Sequence, residues 1–140
     1  MPAVSDLPTL LATLRPELQT GVFMFCRLPT ADPILLAALD PVVTVREAEG
    51  LTVVVTEAAA LAHGLEPGPL MRMITLTVHS DLEAVGLTAA FSGALTEAGV
   101  SSNVVAGYHH DHIFVPAGQA VTAISALTAL QTRSTKEAEA

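Results

Sequence analysis

Three imidazoles and one carboxylate occupy four consecutive positions, His109-His110-Asp111-His112, and a fourth imidazole, His79, stands just ahead of Ser80-Asp81-Leu82-Glu83. Imidazole and carboxylate are ordinary zinc ligands at ~2.0 to 2.2 Å, so metal binding is the first chemistry the pattern raises. Spacing weighs against it. In an extended strand neighbours point to opposite faces, which puts His110 and His112 on one side and His109 and Asp111 on the other. At most two of the four donors converge unaided, and nothing in the sequence brings His79 or His63 to complete a set. The expectation is solvent-exposed hairpin histidines, with no metal and no cofactor.

The second chemistry is recognition of a small zwitterion. Met73 to His79 alternates apolar and polar residues with β-branched types at most positions, as a half-buried strand does. Ser80 followed three residues later by Glu83 has the form of a capping box, so a helix is expected to begin close to Ser80. Leu87, Ala90, Phe91, Ala94, Leu95 and Ala98 lie on one helical face, and Gly99-Val100 forms a left-handed stop with its hydrophobic partner. Asn103 to Tyr108 and Ile113 to Val115 then read as two strands flanking the His-Asp knot, and another helix can start at Pro116. A right-handed crossover whose return strand inserts between the other two brings His79, the helix entrance and the hairpin to one sheet edge. Helix-terminal amides and their positive partial charge suit a carboxylate or phosphate there. Gly86 lets the backbone come close, and Asp111 supplies the opposite pole. Such a bipolar pocket fits an amino acid.

The supporting elements repeat. Ser5-Asp6-Leu7-Pro8 caps a short helix that Pro16 ends, and Gly21 to Leu28 is a buried strand. Asp32-Pro33 caps a helix through Leu39; Val42 to Arg46 and Leu51 to Thr56 form a hairpin; Ala58 to His63 is a helix stopped by Gly64. Glu66-Pro67-Gly68-Pro69 is the clearest linker. Strand, helix, strand, strand, helix starts at Val22, Pro33, Val43, Thr52 and Ala58, and again at Arg72, Glu83, Asn103, Ile113 and Ala117. The chain reads as two copies of one unit, residues 1–69 with a leading segment and residues 70–132, followed by a frayed tail at 133–140. Each copy lacks the closing strand of a βαββαβ unit, so strands are expected to be lent between copies or chains.

Composition narrows the field further. The 140 residues carry a net charge of −8, which disfavours nucleic acid because there is no basic patch to displace counterions. Hydrophobic residues make up 51%, and mean hydropathy is +0.54, yet no apolar run reaches the ~18 residues of a membrane span. The excess points to two-sided burial or a subunit interface. One cysteine, Cys26, excludes an intrachain disulfide, and its apolar stretch suits a buried, inert thiol. With no signal-peptide layout at the N-terminus, the cytoplasm is the expected location.

The stretch HSDLEAVGLTAAFSGALTEAGVSSNVVAG through YHHDHIFVP resembles the ACT domain, in particular the tandem ACT repeats of aspartate kinases and small bacterial two-unit proteins. It is also similar to the arginine-sensing ACT proteins of animal cytosol, which share a loop-helix unit followed by an aspartate-containing hairpin. The resemblance covers most of Gly21 to Leu130 and is most specific between Ile74 and Pro116. It implies an α+β fold of two ferredoxin-like units, antiparallel sheets with helices on one face, that binds an amino acid between strand edge and helix N-terminus. It further implies that loop amides around Leu82 to Leu87 hold the α-carboxylate, while Asn103, Val104, Val105 and Asp111 meet the amino group and side chain.

The expected site therefore comprises Ser80, Asp81, Leu82, Glu83, Ala84, Val85, Gly86 and Leu87, with Asn103, Val104, Val105, His109, Asp111 and His112 from the hairpin. The expected function is a regulatory or sensor module without catalysis of its own, binding an amino acid or similar zwitterion and paired as a homodimer. Two other functions fit the same residues: a metal-dependent hydrolase using the His-Asp cluster, and an interaction subunit that binds no ligand. The first repeat has Glu47-Ala48-Glu49-Gly50 in place of the His-Asp cluster, so its equivalent site should be empty or different.

Overall fold

A computed structural model describes residues 3–139; residues 1, 2 and 140, the ends of the expected leading segment and tail, lie outside the described residues. In chain order the elements are α1 (Leu7–Ala12), β1 (Pro16–Leu18), β2 (Phe23–Leu28), α2 (Pro33–Leu39), β3 (Val43–Glu47), β4 (Gly50–Thr56) and α3 (Glu57–Ala62). After the Pro-Gly linker come β5 (Leu70–Leu76), α4 (Leu87–Glu97), β6 (Asn103–Ala106), β7 (Asp111–Pro116), a 3-10 turn (Ala117–Gln119) and α5 (Ala120–Glu139). Each half thus runs strand, helix, strand, strand, helix, as the repeat predicts. No helix among the described residues is long and apolar enough to cross a membrane.

The chain divides into two compact units, one of residues 21–71 and one that joins residues 1–20 to residues 72–140. In the first, β3 pairs with β4 and β4 with β2, all antiparallel, and Leu70 and Met71 pair antiparallel on the other edge of β2. Its core is Met24, Cys26, Leu28, Leu39, Leu51, Val53, Val55 and Ala60, with Leu35, Leu36 and Ala59 of α2 and α3 packed against it. Cys26 is buried, and burial pushes its thiol further from ionisation, which fits an inert packing role.

In the other unit the strand order is β1, β5, β7, β6. The return strand of the hairpin lies between β5 and β6, as the crossover argument requires. Ile74 and Leu76 of β5, Phe91 and Leu95 of α4, Ile113 and Val115 of β7, and Ala123 and Leu127 of α5 form the core, each fully buried. Removing such side chains from water is worth about 1.5–3 kcal/mol apiece. Leu10 and Leu14 at 0% exposure belong to the same cluster.

The leading segment, expected with residues 1–69, supplies a strand to β5: β1 pairs antiparallel with it through Pro16↔Leu76, Glu17↔Thr75 and Leu18↔Ile74. It takes the place of the closing strand, because β5 would otherwise expose unpaired amides and carbonyls along that edge. Two expectations are corrected here. The tail expected to fray from residue 133 is helical through Glu139, with Ser134 buried and its hydroxyl donating to the Leu130 carbonyl at 2.8 Å. The helix expected near Ser80 begins only at Leu87. Ser80 is instead bridged to Val4, whose amide donates to the His79 carbonyl and whose carbonyl accepts from the Asp81 amide, both at 2.9 Å.

Candidate functional site

The helix start fails at Ser80 because Asp81 offers the backbone a competing partner. Its Oδ1 accepts from the Glu83 amide at 2.9 Å and its carbonyl from the Ala84 amide at 3.0 Å, closing a turn that delays the helix. The delayed start then falls on Gly86, whose φ of +98° only glycine adopts readily, and no side chain caps the amides that follow. The first amides of α4, at Leu87 and Thr88, therefore lack intrahelical partners. On the opposite side, Asp111 opens β7 directly across from Ala106 of β6. Strand alternation puts Asp111 on the face of Ile113 and Val115, which is the face α4 covers.

These elements enclose a cavity of about 100 Å³ whose walls are Ser80, Asp81, Leu82, Ala84, Leu87, Thr88, Ala106 and Asp111. Six of these were expected from sequence. Thr88 and Ala106 were not; Thr88 becomes visible once Gly86 rather than Ser80 is taken as the helix cap, and Ala106 once it is paired with Asp111. Ser80 is only 8% exposed. Burial raises the Asp111 carboxyl above its ordinary value, while His112 pulls it back in part.

The remaining expected residues lie elsewhere. Val85 is 85% exposed, Glu83 is exposed, and a Cβ on Gly86 would meet Leu7 Cδ2 at 3.0 Å, so that glycine serves the turn and its packing rather than the cavity. Asn103, Val104 and Val105 run along β6 away from it, with Val104 packed on the core. His112 turns to the other face of the sheet, its Nδ1 at 2.9 Å from Thr75 Oγ1. Thr75 Oγ1 also accepts from Gln19 Nε2 at 3.0 Å, so the hydroxyl links Gln19 to His112. Burial first, and His110 second, lower the His112 pKa against the pull of Asp111. Gly107 is required beneath it, since a Cβ there would meet His112 Nε2 at 3.0 Å.

His109 and His110 stand in the turn ahead of β7, with the Gly107 amide donating to the His110 carbonyl at 2.8 Å, so strand alternation does not govern them. His109 Nδ1 comes within 3.3 Å of His79 Nε2, and His110 Nδ1 lies 3.1 Å from the Val78 carbonyl, which it can approach only as a donor. A wider cavity of about 360 Å³ opens beside them, with His79, Ser80, Asp81, Leu82 and Tyr108 on its walls. Among the described residues no three metal-ligating side chains converge on one point.

The ACT domain family matches residues 2–72 and again residues 71–129. A protein of unknown function from Vibrio cholerae, described as a possible transport protein, is 46% identical over 89% of this chain and 95% of its own, with a TM-score of 0.81. A protein from Agrobacterium tumefaciens shares the fold at 16% identity and TM-score 0.70, over 83% of this chain and 87% of its own. The regulatory subunit of aspartate kinase from Thermus thermophilus does so at 15% identity and TM-score 0.57, over 82% and 95%. Among curated proteins none matches. With its two matched segments overlapping only at residues 71 and 72 and each half built as strand, helix, strand, strand, helix, the chain belongs to the ACT domain family as a tandem pair.

Proposed function

We propose that this tandem ACT protein is a regulatory module that binds an amino acid or similar small zwitterion at the entrance of α4. The observation that carries this reading is the pairing of opposite poles in one cavity: uncapped amides at Leu87 and Thr88 on one wall and the Asp111 carboxylate on another. The α-carboxylate of the ligand meets the amides, where the helix dipole adds to their attraction. Its ammonium meets Asp111, which then recovers the charge that burial disfavours. The strands β3 and β6 end their sheets, and we propose that such edges pair two copies of the chain as a homodimer.

The test is a thermal-shift screen of the twenty amino acids at millimolar concentration. At a hundredfold excess over Kd, a ligand adds about 2.7 kcal/mol of stability. For a chain of this size that raises the midpoint by about 5 to 10 °C. Asp111→Asn keeps the shape and removes the charge, so it should weaken binding by roughly tenfold or more. A flat screen, or an unaltered response in Asp111→Asn, would overturn the assignment.

A further inference from the structure

The imidazoles of His79, His109 and His110 gather outside that cavity, and the strand alternation that argues against a metal governs none of them. β5 ends at Leu76, so His79 lies beyond it, and His109 and His110 lie in the turn before β7. Backbone bonds fix both supports: the His79 carbonyl accepts from the Val4 amide at 2.9 Å, and the Gly107 amide closes the turn on the His110 carbonyl at 2.8 Å. His79 Nε2 and His109 Nδ1 stand 3.3 Å apart. Two nitrogens bound at about 2.0–2.1 Å to one tetrahedral zinc are separated by about 3.3–3.4 Å, whereas an ordinary N–H hydrogen bond spans about 2.7–3.2 Å. The separation suits two ligands of one ion. His110 Nδ1 donates to the Val78 carbonyl at 3.1 Å, so its Nε2 carries the lone pair. A metal ligand needs that tautomer, and metal-binding histidines ordinarily hold it through such a carbonyl contact at their other nitrogen. The His110 ring centroid is 6.3 Å from that of His79 and 6.1 Å from that of His109, against 5.0 Å between those two. An inward swing of about an ångström, within ordinary side-chain motion, brings it to the pair. The cavity of about 360 Å³ beside His79 leaves room for water as the fourth ligand, and both Asp81 on its wall and the net charge of −8 favour a cation.

We infer that His79, His109 and His110 form a binding site for a divalent transition-metal ion of the zinc class, since imidazole ligands suit such ions and not magnesium or calcium. The ion ties the segment after β5 to the hairpin, and the site is independent of the zwitterion reading above. The test is calorimetric titration of the whole chelator-treated protein with zinc chloride, and with magnesium chloride for comparison. One zinc should bind per chain and raise the melting midpoint, with magnesium silent. His79→Ala, His109→Ala and His110→Ala should each weaken zinc binding at least tenfold while the unliganded melting curve changes little; three separate variants guard against one failing to fold. His63→Ala removes an exposed histidine of the other unit and should bind zinc as the natural protein does. No zinc bound at millimolar concentration overturns the site. Zinc held equally well by any of the three cluster variants marks an adventitious ion only and overturns it too.

Discussion

Gly86 shows how one residue decides where a site lies. Its φ of +98° strains any other residue, and a Cβ there would press on Leu7 Cδ2 at 3.0 Å, so the turn that leads into α4 favours glycine at this position. Gly86→Ala should cost about 1–3 kcal/mol, the range for a non-glycine residue held in a sparsely populated backbone region. Chemical denaturation measures it, and a loss under half a kcal/mol would mean the turn tolerates another conformation. His112 makes a pH prediction. Its folded pKa lies below the ordinary 6.5, so the unfolded chain takes up the proton first. The stability it contributes is complete above pH 6.5 and is lost as pH falls from there towards the folded value. Asp111, shifted upward, gives the opposite slope. Melts between pH 7.5 and 5.5 should fall more steeply for the natural protein than for His112→Gln, by at most about 1.4 kcal/mol per pH unit. Equal slopes would assign the acid sensitivity to other groups.

At the scale of elements, what could be read from sequence was whatever a periodicity or a cap announces. Asp32-Pro33 announced α2, whose Asp32 carboxylate does accept from the Ile34 amide at 3.0 Å. The alternation from Met73 and the apolar rows of α4 announced a strand followed by a helix and the repeat that contains them, although β5 runs from Leu70 to Leu76 and not to His79, and α4 starts at Leu87. Three features escaped because they depend on partners distant in sequence. β1 is three residues long and opens with proline, so no alternation marks it, and it is defined only by its register on β5. Ser80 and Glu83 fit a capping box, but Val4 and Asp81 satisfy the backbone differently. His109 and His110 were read as strand residues although they belong to the turn. The dependence on β1 is testable. A fragment of residues 72–140 lacks both the strand that closes β5 and the fully buried Leu10 and Leu14, so it should not melt cooperatively. Adding a peptide of residues 1–20 should restore a transition, and a fragment that melts cooperatively alone would show the leading segment to be dispensable.

For the molecule as a whole, the duplication does not imply two equal sites. In the unit of residues 21–71, the helix that corresponds to α4 is α2, and its first amides are already taken by the Asp32 carboxylate. A negative charge stands where the ligand carboxylate would have to bind, and it repels an anion instead of receiving one. The hairpin of that unit is occupied too: Arg27 Nε donates to the Glu49 carbonyl at 2.9 Å, and Thr52 is hydrogen-bonded to Glu47. Its cavity, lined by Arg46, Glu47 and Glu49 among others, has no uncapped helix beside it. The C-terminal unit differs at the equivalent point, with Gly86 offering no side-chain oxygen and Asp111 across the gap. Calorimetry should therefore return one ligand per chain, and Asp111→Asn alone should weaken the whole isotherm. Asp32→Ala removes the cap of α2 at a cost of about 1 kcal/mol in stability. It should also unblock the N-terminal unit's helix entrance without creating a second strong site, since Glu47 of that hairpin is already hydrogen-bonded to Thr52 and β4 opens with Gly50 where β7 opens with Asp111. Two ligands per chain in the natural protein, or a full-strength response surviving in Asp111→Asn, would place binding in the other unit.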